Sequence, residues 1–410
     1  MVHGAEWTVK HLFVYPNEFI YWSIQIVMYP YMTGLVAGAF VLSSLYHVFG
    51  QKDLRDIARF SLVFSLALLP VAMMPLLFHL QQPFRGVNVM FTPHFTSAIA
   101  AFGIVFSTYG LLVMSEIWFV YRGHFVEQVH ELKGSSKLGN RLKRLVFLIL
   151  SLGAFDLSEK SIAKDKKAVK ILAAVGIPVA CFLHGYAGFI FGSVKANALW
   201  MSPLMPVIFI MSAVVSGIAL CMLTYIIIME WKKFKTILAR GRGGNSVQMI
   251  AGVELDVVKK TSRYLLGFLI AAISLELLDL IFRGYTAMKS WDILREVMYE
   301  EDFFKIFILQ YGFGNLIPLI LLLLPKVSIK RTAVALALIL FGVFMMRWNV
   351  VIGGQAFSLS FAGFMHYDIP IVPHSLETYR EGVLGALTVG VTPFIIFWII
   401  NKFVPSLKTN

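Results

Sequence analysis

The chain is dominated by long apolar runs, and these leave few choices of fold. Reading along it, nine stretches of about twenty or more apolar residues recur, over 20–49, 58–80, 95–121, 168–192, 202–231, 263–286, 304–325, 331–350 and 383–403. Each is long enough to cross a hydrocarbon core of roughly 30 Å as a helix. A backbone inside lipid has to satisfy its own hydrogen bonds, so only helices or closed barrels can span it. Strands of a barrel would alternate in polarity; these runs are continuous. The expected fold is therefore all-α and polytopic, with about nine transmembrane helices in two four-helix bundles plus a C-terminal helix. Three regions follow: 1–192 as the first bundle, 193–350 as the second bundle with buried acids, and 351–410 as an outer loop and last span. The segment 145–155 is apolar but short and flanked by basic residues, so it is expected to be interfacial or re-entrant.

Charge sets orientation. The net charge is +13, and the Lys- and Arg-rich connections ("NRLKR", "KDKK", "WKKFK", "VVKKTSR", "GQKDLRD", "PKVSIKR") all fall on one side of a nine-span chain. The positive-inside rule puts that side in the cytoplasm, the N-terminus outside and the C-terminus inside, in the cytoplasmic membrane. The basic balance is then a topology signal beside anionic lipid rather than a nucleic-acid footprint. The N-terminus has no short apolar segment followed by a cleavage site, so no removable signal peptide is expected. Only two cysteines occur, Cys181 and Cys221, both in spans, too few for an iron–sulfur motif. "GRGGNS" at 241–246 lacks the Lys-Ser/Thr and the preceding strand of a phosphate loop. The loops are too small for a catalytic domain, so any chemistry lies in the membrane or at its surface.

Polar residues inside the spans are therefore the informative ones, because a charge at mid-membrane costs about 2.5–3.5 kcal/mol on insertion scales. "SLELLDLIFRG" places Glu276, Asp279 and Arg283 at i, i+3 and i+7, one helical face. Asp279 and Arg283 are spaced to pair. Glu276 then lies deeper beside a second acid, where burial and like charge favour its neutral form. Two readings stay open: a proton relay toward the outer surface, or a salt-bridged lock between helices. Glu116, in the inner half of the third span, is a candidate start for a cytoplasmic proton path. Arg347 and Asn349 lie near the outer end of the eighth span. Arg347 either reaches headgroups or pairs across helices with Asp279 or Glu276, with Gly353 and Gly354 turning the chain out of the membrane.

The first four spans bring imidazoles, amides and phenols to their outer ends: Asn17, Glu18, Tyr21 and Gln25 in the first; His79, Gln81, Gln82 and Arg85 after the second; His94 and Ser97 before the third; His184 and Tyr186 in the fourth. A quinone needs such groups, since each carbonyl wants a donor, its reduction needs a proton, and its ring needs an apolar slot. On this reading His79, His94 and His184 are the proton-exchanging residues. Tyr21, Gln25, Gln82, Arg85 and Tyr186 bind the head group, Arg85 favouring a reduced, anionic form by its charge. A haem held by two facing imidazoles, His79 or His94 with His184, is the competing reading. His47 alone lies at the inner end, so two stacked haems are not supported. "TGLVAGAF" sets Gly34 and Gly38 one turn apart for close helix contact, and prolines such as Pro70 and Pro178 can kink their spans. The loop after the eighth span, "FSLSFAGFMHYDIPIVPHSLETYREG", is long and suits docking of an extracytoplasmic partner.

"FIYWSIQIVMYPYMTGLVAGAF", "RWNVVIGGQ" at 347–355 and "EGVLGALTVGVTPFIIFWII" at 381–400 resemble the NrfD/PsrC-type integral membrane subunits. Within that family the second stretch is similar to the HybB type and, more closely, to the DsrP (Hme) type of the sulfite-linked DsrMKJOP complex. The resemblance implies a subunit without haem or iron–sulfur cluster of its own. It implies menaquinone bound near the outer face in a four-helix bundle, and electron exchange with an extracytoplasmic ferredoxin-like iron–sulfur subunit. Other membrane and catalytic subunits, cytochrome-containing ones among the candidates, would complete a complex of sulfur or sulfite metabolism. Such a chain is not an enzyme in isolation. Secondary transport and passive anchoring are the other functional classes the sequence leaves open.

Overall fold

In the computed structural model the described residues are 20–80, 82–94, 96–134, 137–194, 197–241, 252–285, 291–357 and 364–407. Asn17, Glu18, Gln81 and most of the "GRGGNS" stretch lie outside them. The described chain is helical, with an isolated bridge between Phe357 and Phe364 as its sole extended pairing. Eight helices are long and apolar enough to cross a membrane, and a bent pair makes nine. These are α1 (Ile24–His47), the pair α2 (Arg55–Leu68) and α3 (Met74–His79), α4 (Ala98–Glu131), α6 (Glu159–Gly192), α7 (Met205–Gly241), α8 (Leu255–Tyr285), α9 (Phe304–Leu323), α10 (Ile329–Trp348) and α12 (Val383–Ile400). The nine stretches read from hydropathy correspond one to one. The chain is thus a multi-pass membrane protein.

The pair α2–α3 bends by 44° at Leu69–Pro70, where the proline ring removes a backbone donor and clashes with the preceding turn. The segment read as interfacial becomes α5 (Leu138–Leu150), a 13-residue helix at the basic end. Helices α4, α6 and α7, of 34, 34 and 37 residues, outrun a bilayer and project beyond it at that end.

α1 is the hub: 89% of its apolar window is buried, against 22% for α8. It packs on α2, α6, α7 and α10. Its closest neighbour is α7, and the reason is glycine. A Cβ on Gly38 would run into the Ala213 carbonyl and the Gly217 Cα, and one on Gly217 would strike the Gly38 backbone. Gly314 and Gly342 make the same close approach between α9 and α10. Gly38→Ala should therefore lower stability by about 1–3 kcal/mol through overpacking, read as a lower unfolding temperature of the detergent-purified chain. Gly267, with open space around its would-be Cβ, should tolerate alanine.

Three stretches widen from α to π geometry, the first of them the short turn Val297–Glu301. Phe304–Leu316 in α9 and Asn349–Gly353 after α10 are π-helical. Wide turns of this kind leave backbone groups without their usual partners and recur at functional sites. The chain does not simply turn out at Gly353–Gly354: Gly354 seats the Trp200 indole, whose nitrogen donates to the Val350 carbonyl at 2.6 Å.

Candidate functional site

At the end opposite the basic loops, the start of α1 is stitched to the segment that follows α10. The Trp22 amide donates to Gln355 Oε1 and Gln355 Nε2 donates to the Trp22 carbonyl, both at 2.8 Å. The Ile24 amide donates to the Tyr367 hydroxyl at 2.9 Å; burial pushes that phenol up to about 12, so it stays protonated. Helix α11 (Leu376–Glu381), opened by a capping box at Ser375, delivers two further groups. His79 Nδ1, at the last turn of α3, lies 3.2 Å from Glu381 Oε1 and 3.2 Å from the Ser23 hydroxyl. Gln25 Nε2 donates to the Arg380 carbonyl at 2.5 Å, while Gln25 Oε1 and Arg380 Nε are buried with no hydrogen-bond partner among the described residues. His79 and Glu381 keep 22% and 30% of their side chains exposed. The rim is therefore built but not closed.

Of the residues expected there, the structure joins His79 and Gln25 through Ser23 and α11. The others stand apart. Tyr21 is 60% exposed. Gln82, Arg85 and His94 lie exposed on the segment after α3, His94 bonded to the Thr96 hydroxyl at 2.7 Å. Tyr186 is half-buried among Phe182 and Phe189. Arg380 and Glu381 are rim residues that sequence reading missed. They sit just before the last span, where the long preceding loop was the available signal.

His184 is not at the rim. It is wholly buried, with Nε2 2.9 Å from Arg347 Nη2 and Nδ1 3.4 Å from the Thr33 hydroxyl. Thr33 lies ten residues along α1 from Ser23, so His184 sits about 15 Å deeper than His79. Arg347 is equally buried. It also donates to the Ser212 hydroxyl at 2.6 Å and the Phe209 carbonyl at 3.4 Å, and stacks 3.6 Å from the Phe209 ring. A guanidinium only donates, so His184 Nε2 must accept, which fixes the neutral ring with its proton on Nδ1. Gly34 makes room: a Cβ there would lie 3.1 Å from the imidazole. Arg347 thus neither reaches headgroups nor pairs with Asp279 or Glu276, the two alternatives the sequence left open; it bonds His184 and Ser212 instead. The physical reason is that Asp279 is already taken by its i+4 neighbour.

Asp279 accepts from Arg283 Nε at 2.8 Å and from the Ser202 hydroxyl, and Arg283 Nη1 donates to the Ala198 carbonyl at 2.7 Å. Glu276, on the same helix, turns to α9. It accepts from Gln310 at 3.0 Å and Asn315 at 3.4 Å, and Gln310 Oε1 accepts from Asn349 at 2.8 Å. This string joins the π-helical stretches of Phe304–Leu316 and Asn349–Gly353 and ends two residues from Arg347. Asn349 Oδ1 and Arg347 Nε remain buried without partners.

Nearer the basic end, Glu116 is fully buried 3.4 Å from His47 Nδ1, which lies 3.1 Å from the Ser43 hydroxyl. Neither Glu116 oxygen has a hydrogen bond. Nearly two turns further along α4, Arg122 clamps the returning chain through Asp165 at 2.6 Å, Ser161 at 2.8 Å and the Ala154 and Asp156 carbonyls.

The class is now defined: a polytopic helical membrane protein with an open polar rim and a buried polar string along its hub helix. The chain belongs to the polysulphide reductase NrfD family, whose profile matches residues 15–359. It is 28% identical over 331 residues to a subunit of the selenate reductase of Mesobacillus selenatarsenatis, a match covering 81% of this chain and 73% of that one. It is 26% identical over 356 residues to a putative dimethyl sulfoxide reductase membrane subunit of Halobacterium salinarum, covering 86% and 71%. Over 381 residues it is 23% identical to the Hdr-like menaquinol oxidoreductase integral membrane subunit of Archaeoglobus fulgidus, covering 92% and 79%.

Proposed function

We propose that this chain is the membrane subunit of a respiratory redox complex. It oxidises or reduces menaquinone at the His79 rim and exchanges electrons with an iron–sulfur subunit seated on the outer segment. The basic end faces the cytoplasm. One observation carries the reading: beside His79 and Glu381, a buried acceptor (Gln25 Oε1) and a buried donor (Arg380 Nε) have no hydrogen-bond partner among the described residues. A quinone head group offers carbonyl oxygens to donors of this kind, so the residues fit it. When bound, the quinone supplies the two-electron, two-proton chemistry. The chain's part is to orient the head group through Arg380 and Gln25 and to exchange protons at the His79 imidazole, held by Glu381. The relatives named for selenate, dimethyl sulfoxide and menaquinol support this setting, and the DsrP-like stretch at 347–355 favours sulfur oxyanions as the partner's substrate. A photoreactive menaquinone analogue, used on the native complex, should label peptides containing His79 or residues 376–381. Labelling confined to the lipid-facing helices would retire the reading.

Proton movement is the second part of the proposal. Glu116 with His47 begins a path from the basic end. Arg347 and His184 hold its middle, and Glu276 joins it through Gln310 and Asn349. The Asp279–Arg283 pair lies one to two turns nearer the rim. Glu276→Gln keeps the shape and the amide contacts but removes the titrating group. Proteoliposomes of the complex should then lose quinol-driven pH changes while still binding the quinone analogue. Undiminished pH changes would remove Glu276 from the path.

A further inference from the structure

The string that starts at Glu276 leads to an acid that the rim does not use. Gln310 joins it to Asn349, and Asn349 Nδ2 also donates to the Lys305 carbonyl at 3.3 Å. Lys305 lies one wide turn from Gln310, toward the outer end of α9. Its ammonium, on a side chain 46% exposed, donates to Asp302 Oδ1 at 2.6 Å. Asp302 stands where the π turn Val297–Glu301 ends and α9 begins, with 7% of its side chain exposed. Its Oδ2 lies against Gly353, where a Cβ would sit 3.1 Å from that oxygen. Gly353 is one turn along from Asn349. The three π stretches therefore meet at this carboxylate.

A carboxylate at the start of a helix commonly accepts from the first free amides. Asp302 does not, for the first turn of α9 has no side-chain cap. It is held instead between a half-exposed cation and the glycine turn that carries Asn349. Gly353 and Leu199 bring no charge to it, and Glu300 and Glu301 in the preceding turn are exposed to solvent. One turn inward, Asn349 Oδ1 is buried with no hydrogen-bond partner among the described residues. Water is the usual partner of such an acceptor in a protein interior. Gln310 and Asn349 do not titrate, so they hold the proton's carriers in line, and the titrating ends are Glu276 and Asp302. Asp279 is no such end, since its oxygens accept from Arg283 and Ser202. We infer that Asp302 is the outer proton-exchange residue of the Glu276 string, with Lys305 as the cation that favours release of its proton to outer water. Only a proton moves: Glu276 gives it up, Asp302 becomes a neutral carboxyl, and loss to water restores the carboxylate beside Lys305. The inference rests on the Glu276 path proposed above and gives that path an outlet on other elements than those of His79 and Glu381.

The test uses the native complex in right-side-out vesicles, with quinol-driven pH changes read on the outer side. Asp302→Asn should slow them by about 10²-fold, while assembly and binding of the quinone analogue stay at the parental level. Formate added outside, a small acid able to carry the missing proton, should restore part of the rate, and Asp302→Glu should keep most of it. Lys305→Gln changes a half-exposed side chain that the fold does not need. It should raise the outer pH of half-maximal release by about one unit, because a carboxyl without its cation holds its proton more tightly. Parental pH changes in Asp302→Asn, or an unmoved profile in Lys305→Gln, overturn the inference. So does a loss that neither formate nor glutamate relieves, which would make Asp302 a brace between α9 and the Gly353 turn. The two readings fail differently. No pH change in the parent retires the Glu276 path and its outlet together, whereas a change abolished by Glu276→Gln but kept in Asp302→Asn removes the outlet alone.

Discussion

Arg347→Met will destabilise the protein by about 3–5 kcal/mol, the usual cost of breaking a buried charged network from one side. The guanidinium is the donor for His184 Nε2 and the Ser212 hydroxyl, and it fills the space over Phe209. Without it, two buried acceptors, His184 Nε2 and the Ser212 hydroxyl, lose their donor. Arg347→Lys keeps the charge, but an ammonium cannot reach His184 and Ser212 in the same fork or stack on the ring, so it should fall between. Melting of the two purified variants beside the parent checks the order. A Met variant as stable as the parent would mean that the string is loosely hydrated and that Arg347 does not organise it.

How much of this was legible beforehand depends on the range of the interaction. Spans are local, and hydropathy located all nine; Pro70 was one of several prolines able to kink a span, and only the structure shows that the second span bends there. The Asp279–Arg283 pair was legible because an i, i+4 spacing lies within one helix. The direction of Glu276 was not, although it lies one turn away. Its partners Gln310 and Asn315 sit on another helix, in a π-helical stretch whose residues read as ordinary apolar helix. For Arg347 the sequence offered headgroups or an acid on another helix, and no sequence rule selects a neutral histidine 163 residues away. Depth was the other hidden quantity. His79, His94 and His184 all fall in outer halves of their segments, but the bend at Pro70 and the packing on α1 put one at the rim, one on an exposed loop and one in the core.

That separation makes the histidines separable by experiment. His79→Gln in the native complex should lower quinol turnover by about 10²–10⁴, the range for losing a positioned proton-transfer group. The side chain is partly exposed and bonds only Ser23 and Glu381 among the described residues, so the melting temperature should hardly move. Glu381→Gln keeps an acceptor for the imidazole but loses its charge, and should cost less. His94→Gln disturbs a bond to the adjacent Thr96 on an exposed segment and should leave both turnover and stability near the parent. His184→Gln should behave in the opposite way to His79→Gln, losing stability along with turnover, because it leaves Arg347 without its main neutral partner in the core. Turnover falling most in the His94 variant would move the reacting head group from the α11 rim to the loop after α3. Equal loss of turnover and stability in the His79 variant would make that imidazole a strut between α3 and α11. The pair of measurements therefore separates proton exchange at the rim from support of the helices around it.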